Sequence, residues 1–146
     1  MHIDDMKFFD ALAAEMNDHP ERFRLYGEAY MDAVIVMSRP QGDFNVRLTF
    51  DELRCEGVNE ISSEELALCD YRLEGPLAAW QTMFDDISHN GRATGLNTIN
   101  SMVMLSDEVT LRGADPMGLD RFSRFNQTLQ EFLDGAAHLT RTLSGN

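Results

Sequence analysis

With 146 residues, the chain is long enough for one domain with a substantial hydrophobic core that needs neither disulfides nor a metal. Hydrophobic residues make up 43% of the sequence, yet its longest purely aliphatic run, Ala33 to Met37, is far too short to span a bilayer. A formal net charge of −13 argues against binding to nucleic acid or to anionic lipid headgroups, because both require a positive surface. We therefore expect a single domain over residues 1–146, with no nucleic-acid partner and no stable membrane insertion.

The ends of the chain and its cysteines give no sign of export. The first ten residues, MHIDDMKFFD, lack a basic region, and the final LSGN matches no retention or peroxisomal signal. Cys55 and Cys69 each fall in a strand pattern and not in a CxxC motif, which favours buried free thiols. The expected location is the cytoplasm.

An amphipathic helix opens the chain, with Asp4 as its expected cap and Pro20 beyond its end. Its apolar stripe, which predicts docking on a core, consists of Ile3, Met6, Phe9, Leu12, Ala13 and Met16. The following segment, residues 21–27, is expected to form one or two helical turns.

Four strand patterns come next. Tyr30 to Met37 is rich in Val and Ile, Phe44 to Asp51 alternates apolar and polar residues without a fault, and the alternation continues from Leu53 to about Val58. A fourth pattern, Ala67 to Leu73, places apolar side chains at every second position. Four consecutive strands predict a meander, and hence a mostly antiparallel sheet with one polar face.

The fourth strand leads directly into a helix through Gly75 and Pro76, and Asn90-Gly91 supplies its C-terminal stop. The apolar face of this helix consists of Leu77, Trp80, Met83, Phe84 and Ile87.

The remaining chain predicts two helices around a short strand. Residues 95–105 favour a helix, although their MVML sequence also fits a strand, and Glu108 to Arg112 alternates as a fifth strand. The last helix is capped by Asp115, and its apolar face consists of Leu119, Phe122, Phe125, Leu129, Phe132, Leu133 and Ala136. The predicted fold class is α+β, a five-stranded sheet with helices covering one face.

Three features occur in a characteristic order: the strand patterns from Tyr30 to Leu73, a helix that begins GPLAAW, and a short strand VTLRG at residues 109–113. This order, over roughly Phe23 to Ala137, resembles the sterol carrier protein 2-like lipid-transfer domain family. Members similar to this have helices on one face of a five-stranded sheet and an apolar tunnel for a sterol, fatty acid or fatty acyl-CoA. The lengthened segment GRATGLNTINSMVML and the acidity of the chain depart from that pattern.

The resemblance implies non-enzymatic binding or transfer of a lipid-like molecule, with no cofactor. The expected tunnel lining consists of Trp80, Met83, Phe84, Met102, Phe122, Phe125 and Leu129. Nine methionines and nine phenylalanines suit an adaptable apolar cavity, although the same residues at helical spacing also fill an ordinary core. Arg121 and Arg124 are candidates for contact with an acidic headgroup, or for ion pairs with Asp120 and other surface carboxylates.

Two other functions stay open at this point. An enzyme or enzyme accessory that acts on a hydrophobic substrate would need a titratable group at the cavity wall, for which Asp32 is the candidate. A small interaction module would pair through a sheet edge or the Phe-rich last helix, and a homodimer is possible.

Two local motifs bear on other chemistry. Asp85, Asp86 and His89 have helical spacing that brings them together, but a solvated helix end has the same pattern, and no metal site is predicted. The segment Gly91 to Gly95 is too short, and not placed after a strand, for a phosphate-binding loop.

Overall fold

The computed structural model describes residues 2–139, so the final LSGN segment lies outside the described residues. The described helices and strands form an α+β fold, in which the first four strands come one after another between the first and second α-helices. In chain order they are α1 (Met6–Asp18), β1 (Ala29–Ser38), β2 (Phe44–Glu52), β3 (Arg54–Glu60), β4 (Tyr71–Pro76), α2 (Leu77–Asn90), α3 (Ile99–Met104), β5 (Thr110–Arg112) and α4 (Pro116–Asp134). Short 3₁₀ helices lie at Pro20–Arg22, Arg24–Tyr26, Ser63–Leu68 and Gly95–Asn97.

The sheet is mixed, with strand order β3-β2-β1-β4-β5. β1 and β2, β2 and β3, and β4 and β5 are antiparallel pairs, whereas β4 runs parallel to β1. The predicted meander of four consecutive strands is therefore wrong, because β4 pairs with β1 instead of with β3. A parallel pair needs a crossover connection, and residues 61–70 provide it.

This crossover replaces the first half of the predicted fourth strand. Ser63–Leu68 forms a 3₁₀ helix, and the Ser62 N–H donates to Glu65 Oε2 at 3.3 Å, so a polar Ser-x-x-Glu start signal overrides the apolar alternation. Cys69 then packs against Val34 and Val36 on the sheet face opposite the main core. The face predicted to be polar is thus partly apolar and covered.

The other sheet face carries the main hydrophobic core, as the alternation of β2 predicts. Phe132 of α4 meets Phe50 edge-on with ring centroids 5.3 Å apart, and Phe122 meets Tyr71 at 5.4 Å. α4 therefore covers the face opposite Arg47, which confirms the predicted side.

The sequence signals for helix ends hold at most positions. Asp115 caps α4 by accepting the Gly118 N–H at 2.9 Å, and Gly91 ends α2 with a left-handed φ of 84°. The favoured helix within residues 95–105 is present, and Thr98 caps it. Asp4 is not the cap of α1; Asp5 fills that position, and Asp4 pairs with Arg39 at 3.1 Å.

Gly118 allows the first turn of α4 to approach the crossover. A Cβ at this position would overlap the backbone carbonyl oxygen of Asp70. We expect Gly118→Ala to lower the free energy of unfolding by about 2 kcal/mol or more, even though alanine favours a helix by ~1 kcal/mol, because the helix must move off the crossover.

Urea denaturation measures this change. Ser123→Ala, at an exposed position of the same helix, is the matched control and should shift stability by less than about 0.5 kcal/mol. Equal unfolding midpoints for Gly118→Ala and the wild type would contradict this seating of α4.

Candidate functional site

The predicted lining residues meet in one apolar layer between the sheet and the helices α2, α3 and α4. All seven belong to the main core or pack against it: Trp80, Met83, Phe84, Met102, Phe122 and Leu129 are buried, and Phe125 is half-buried at its margin. The structure thus brings the set together, as the packing of a core.

Trp80 is fixed at the centre of this layer. Its Nε1–H donates to the backbone carbonyl oxygen of Val36 at 3.1 Å, and the whole side chain is buried. Because a buried indole N–H without an acceptor is costly, this bond holds α2 against β1.

A small cleft borders the layer beside Met102. It has a volume of about 230 Å³ and lies between the start of α2, at Ala79, and the segment that carries Leu96. Leu96 is 61% exposed, so an apolar side chain stands at its rim. The cleft is smaller than the ~300–1,000 Å³ typical of small-molecule sites.

The two arginines predicted near a headgroup already have carboxylate partners. Arg121 Nη1 lies 3.3 Å from Asp70 Oδ2, which links α4 to the crossover. Arg124 is more exposed, lies 3.8 Å from Asp120, and has its guanidinium carbon 5.3 Å from the Phe125 ring centroid. Arg124 is therefore the looser of the two in its ion pair, and it contacts the predicted lining residue Phe125.

Asp32, the candidate for an enzymatic carboxylate, faces away from the apolar layer. Its carboxylate accepts the Thr49 hydroxyl at 2.6 Å and pairs with Arg47 at 3.1 Å, on the side of the sheet that the crossover partly covers. Both oxygens of the carboxylate thus have donors, and the group serves to order polar side chains on that face.

The sequence does not predict a polar pocket beside α4. It has a volume of about 500 Å³ and lies between Tyr26, residues 91–98 and one face of α4. Asp134 Oδ1 accepts the Ala93 N–H at 3.1 Å and Gln130 Nε2–H at 3.0 Å, and Gln130 Oε1 accepts the Ile99 N–H at 2.7 Å. Two α4 side chains therefore hold the connection between α2 and α3.

Asp86, at the end of α2, closes the same connection from the other side. It accepts the Thr94 N–H at 2.6 Å, which is the leading cause that lowers the pKa of the Asp86 carboxyl. His89 Nδ1 lies 2.7 Å from the Asp85 carbonyl oxygen. The contacts of Asp85, Asp86 and His89 thus stabilise the C-terminal end of α2. Within residues 2–139, no group of three His, Cys, Asp or Glu side chains is arranged to hold a metal ion.

Glu131, on the pocket wall, belongs to an ion-pair network. Arg22 Nη2 lies 2.9 Å from Glu131 Oε2, and Arg22 Nη1 lies 3.2 Å from Glu15 Oε1. The Tyr26 hydroxyl lies 3.4 Å from Glu131 Oε1. Glu131 therefore has a cationic partner, whereas the hydrogen bonds of Asp134 come from neutral donors.

The environment of Asp134 disfavours its charged form. Burial raises the pKa of its carboxyl to about 6, although the hydrogen bonds from Ala93 and Gln130 oppose that shift. The sequence does not reveal this partly buried carboxyl, because Gln130 and Asp134 occupy positions of α4 that look solvent-facing. Their burial arises only when residues 93–99 fold against the helix.

Both cysteines are free and buried, and burial raises the pKa of the Cys55 thiol to about 12.

No helix among the described residues has the length and apolar character needed to cross a membrane.

The raised pKa of Asp134 makes its contribution to stability depend on pH. The folded value of about 6 exceeds the ordinary value of 3.8, so this contribution is full below about pH 4 and is lost as the pH rises through 6. An asparagine in its place would still accept the Ala93 N–H but would carry no charge. We expect Asp134→Asn to be about 1–2 kcal/mol more stable than the wild type at pH 8. This difference is smaller than the one obtained by converting the pKa shift at about 1.36 kcal/mol per unit, because the carboxyl is partly exposed to solvent.

Urea unfolding at pH 8 and pH 4 tests this, and the difference should vanish at pH 4. Asp120→Asn, on the exposed face of α4, is the control and should show no comparable gain. A variant less stable than the wild type at pH 8 would mean that the ionised carboxylate stabilises the fold.

No protein-family model matches the chain, and no curated protein matches it in sequence. Two solved structures are similar. The solution structure of TT1886 from Thermus thermophilus, described as a conserved hypothetical protein and possibly a sterol carrier protein, has a TM-score of 0.69 and 17% identity, over 95% of this chain and 90% of that one. A crystal structure of sterol carrier protein 2 has a TM-score of 0.65 and 16% identity, over 92% of this chain and 97% of that one. The likeness extends over nearly the whole of each chain, and the protein has a sterol carrier protein 2-like fold.

Proposed function

We propose that the protein binds an apolar, lipid-like molecule, such as a fatty acid, an acyl-CoA or a sterol-like lipid, without catalysing a reaction on it. The observation that carries the proposal is the Phe- and Met-rich layer between the sheet and α2, α3 and α4, in a fold shared with sterol carrier protein 2. Binding is placed in that layer, and transfer between donors and acceptors is the corresponding activity.

In this proposal the ligand enlarges the cleft at Met102. The methionines of the layer, Met83 and Met102, have three rotatable side-chain bonds and a polarisable sulfur, so they can repack around an inserted chain. The cleft beside Met102 gives access from solvent, and the exposed Leu96 offers apolar contact at the entrance.

Burial supplies most of the affinity. Each methylene contributes roughly 0.8 kcal/mol, so a sixteen-carbon chain gains on the order of 10 kcal/mol before the loss of translational freedom and of core packing is subtracted. Affinity near the micromolar range is the expected result. Selectivity should follow chain length, with Arg124 as a secondary headgroup contact because its pairing with Asp120 is loose.

The enzyme alternative has less support, because Asp32 lies on the other side of the sheet in an ion pair with Arg47. A homodimer and a cytoplasmic location stay predictions of the sequence, and native mass spectrometry of the purified protein tests the first of them together with copurified lipid.

The proposal is tested by fluorescence with a brominated fatty acid of sixteen to eighteen carbons. Trp80 is the single tryptophan and lies within the proposed layer, so a bromine atom on a bound chain should quench its emission. The quenching should saturate with a dissociation constant of about 1 μM. Longer chains should bind more tightly than shorter ones. Absence of saturable quenching below the micelle threshold would contradict the proposal.

Met102→Ala separates binding in the layer from binding elsewhere. The truncation joins vacated volume to the existing cleft, so the chain displaces less protein, and we expect several-fold tighter binding together with a stability loss of about 2–5 kcal/mol. Met16→Ala in α1 is the matched control, since it also truncates a buried methionine but lies off the proposed cavity, and it should leave affinity unchanged. Equal affinity changes in the two variants would place the ligand elsewhere.

A further inference from the structure

The polar pocket between Tyr26, residues 91–98 and α4 has no role in the binding proposed above. Its volume of about 500 Å³ falls within the range of small-molecule sites. Its walls come from three parts of the chain and are tied together through backbone N–H groups, at Ala93 and Ile99. The pocket is therefore built by tertiary contacts and is not a dent in a single loop.

The charges on the pocket walls leave two groups of opposite sign without a close partner of their own. Glu131 forms an ion pair with Arg22, which also pairs with Glu15 and lies outside the pocket lining. Asp134 receives hydrogen bonds from the neutral donors Ala93 and Gln130, and Arg22 favours its charged form only at a distance, without an ion pair. Arg92 is an exposed member of the same lining, next to Ala93 in the chain, and in the described part of the chain it has no ion pair.

We propose that this pocket binds a small zwitterion, with an ammonium group at Asp134 and an anionic group at Arg92. The ammonium supplies the cation that a half-desolvated carboxylate lacks, and the guanidinium can hold a phosphate or carboxylate through two parallel hydrogen bonds. Thr98 Oγ1 accepts the Ser101 N–H at 3.2 Å, and its own hydroxyl proton can serve as a donor to the ligand.

Two sources can supply this chemistry, a free metabolite or the headgroup of a lipid. Leu129 and Leu133 of α4 face the core, while Gln130 and Asp134, one position further along, line the pocket. One helix thus separates the apolar layer from the polar pocket. The zwitterion site does not depend on lipid binding, and the experiment distinguishes the two sources.

The test is a titration of the ¹⁵N-labelled protein with phosphoethanolamine, ethanolamine and inorganic phosphate, followed by NMR. The amide signals of Ala93 and Thr94 should shift saturably with phosphoethanolamine, and the dissociation constants for the two fragments should be at least about tenfold weaker. Asp134→Asn and Arg92→Gln should each weaken phosphoethanolamine about tenfold or more. Since Asp134→Asn is expected to be stable at neutral pH, its loss of binding would not reflect unfolding.

Matched charge controls are Asp107→Asn and Arg112→Gln, which lie outside the pocket lining and should leave the dissociation constant unchanged. The proposal is overturned if phosphate or ethanolamine alone binds as tightly as phosphoethanolamine, if the control variants weaken binding as much as the pocket variants, or if no amide of residues 91–98 shifts at about 10 mM ligand.

A second arm uses a short-chain phosphatidylethanolamine below its micelle threshold. Affinity that exceeds that of phosphoethanolamine and still depends on Asp134 would identify the ligand as a lipid headgroup. Equal affinity of the two would identify a free zwitterion. The site also stands if brominated fatty acids fail to quench Trp80 while phosphoethanolamine still shifts Ala93, so its failure and that of the proposed lipid binding are separable.

Discussion

Asp70 joins the central strand, the crossover and the last helix, and the arrangement of the protein depends on these contacts. Its backbone N–H donates to the Asp32 carbonyl oxygen at 3.1 Å, and its carboxylate accepts the Asp32 N–H at 2.8 Å. The same carboxylate pairs with Arg121. The backbone carbonyl oxygen of Asp70 lies so close to Gly118 that there is no room for a Cβ at that position. A single residue thus sets β4 beside β1 and positions the start of α4 over the sheet. The backbone contacts would form with any residue at this position, whereas the bonds to the Asp32 N–H and to Arg121 require the carboxylate.

α4 has different tasks on its two sides. One side supplies Phe122, Leu129 and Phe132 to the core, where burial of aromatic and aliphatic surface provides most of the stabilisation. The neighbouring side supplies Gln130 and Asp134, which bind the backbone between α2 and α3. The same helix therefore holds both the apolar layer and the polar pocket in place, and a shift of α4 would change the two together.

The polar pocket includes an arrangement that reduces stability at neutral pH. Burial raises the pKa of Asp134, so keeping its carboxylate ionised disfavours the folded state. Glu131, one turn earlier on the helix, forms an ion pair with Arg22. A carboxylate held in a costly environment without its own cation is common at binding sites, where a ligand completes the set of charges.

The sequence by itself determined the secondary structure of most of the chain and which faces are apolar. Local rules suffice there: Val and Ile content defines β1, alternation defines β2, and Asp115 and Gly91 mark helix ends through capping and a left-handed backbone. Likewise, the helical spacing of Trp80 and Phe122 predicts that both are buried, though not whether they surround a cavity or fill a core.

Only the tertiary structure decided the strand order, the partly covered second face and the polar pocket. The crossover at residues 61–70 resembles the start of a strand because Ala67 and Cys69 continue an apolar alternation, yet the actual neighbours of Cys69, Val34 and Val36, lie more than thirty positions away in the chain. Gln130 and Asp134 look like solvent-facing helix positions until residues 93–99 fold over them. Periodicity along a chain reports which side of an element is buried, whereas the identity of the partner depends on contacts between distant segments, which no local pattern encodes.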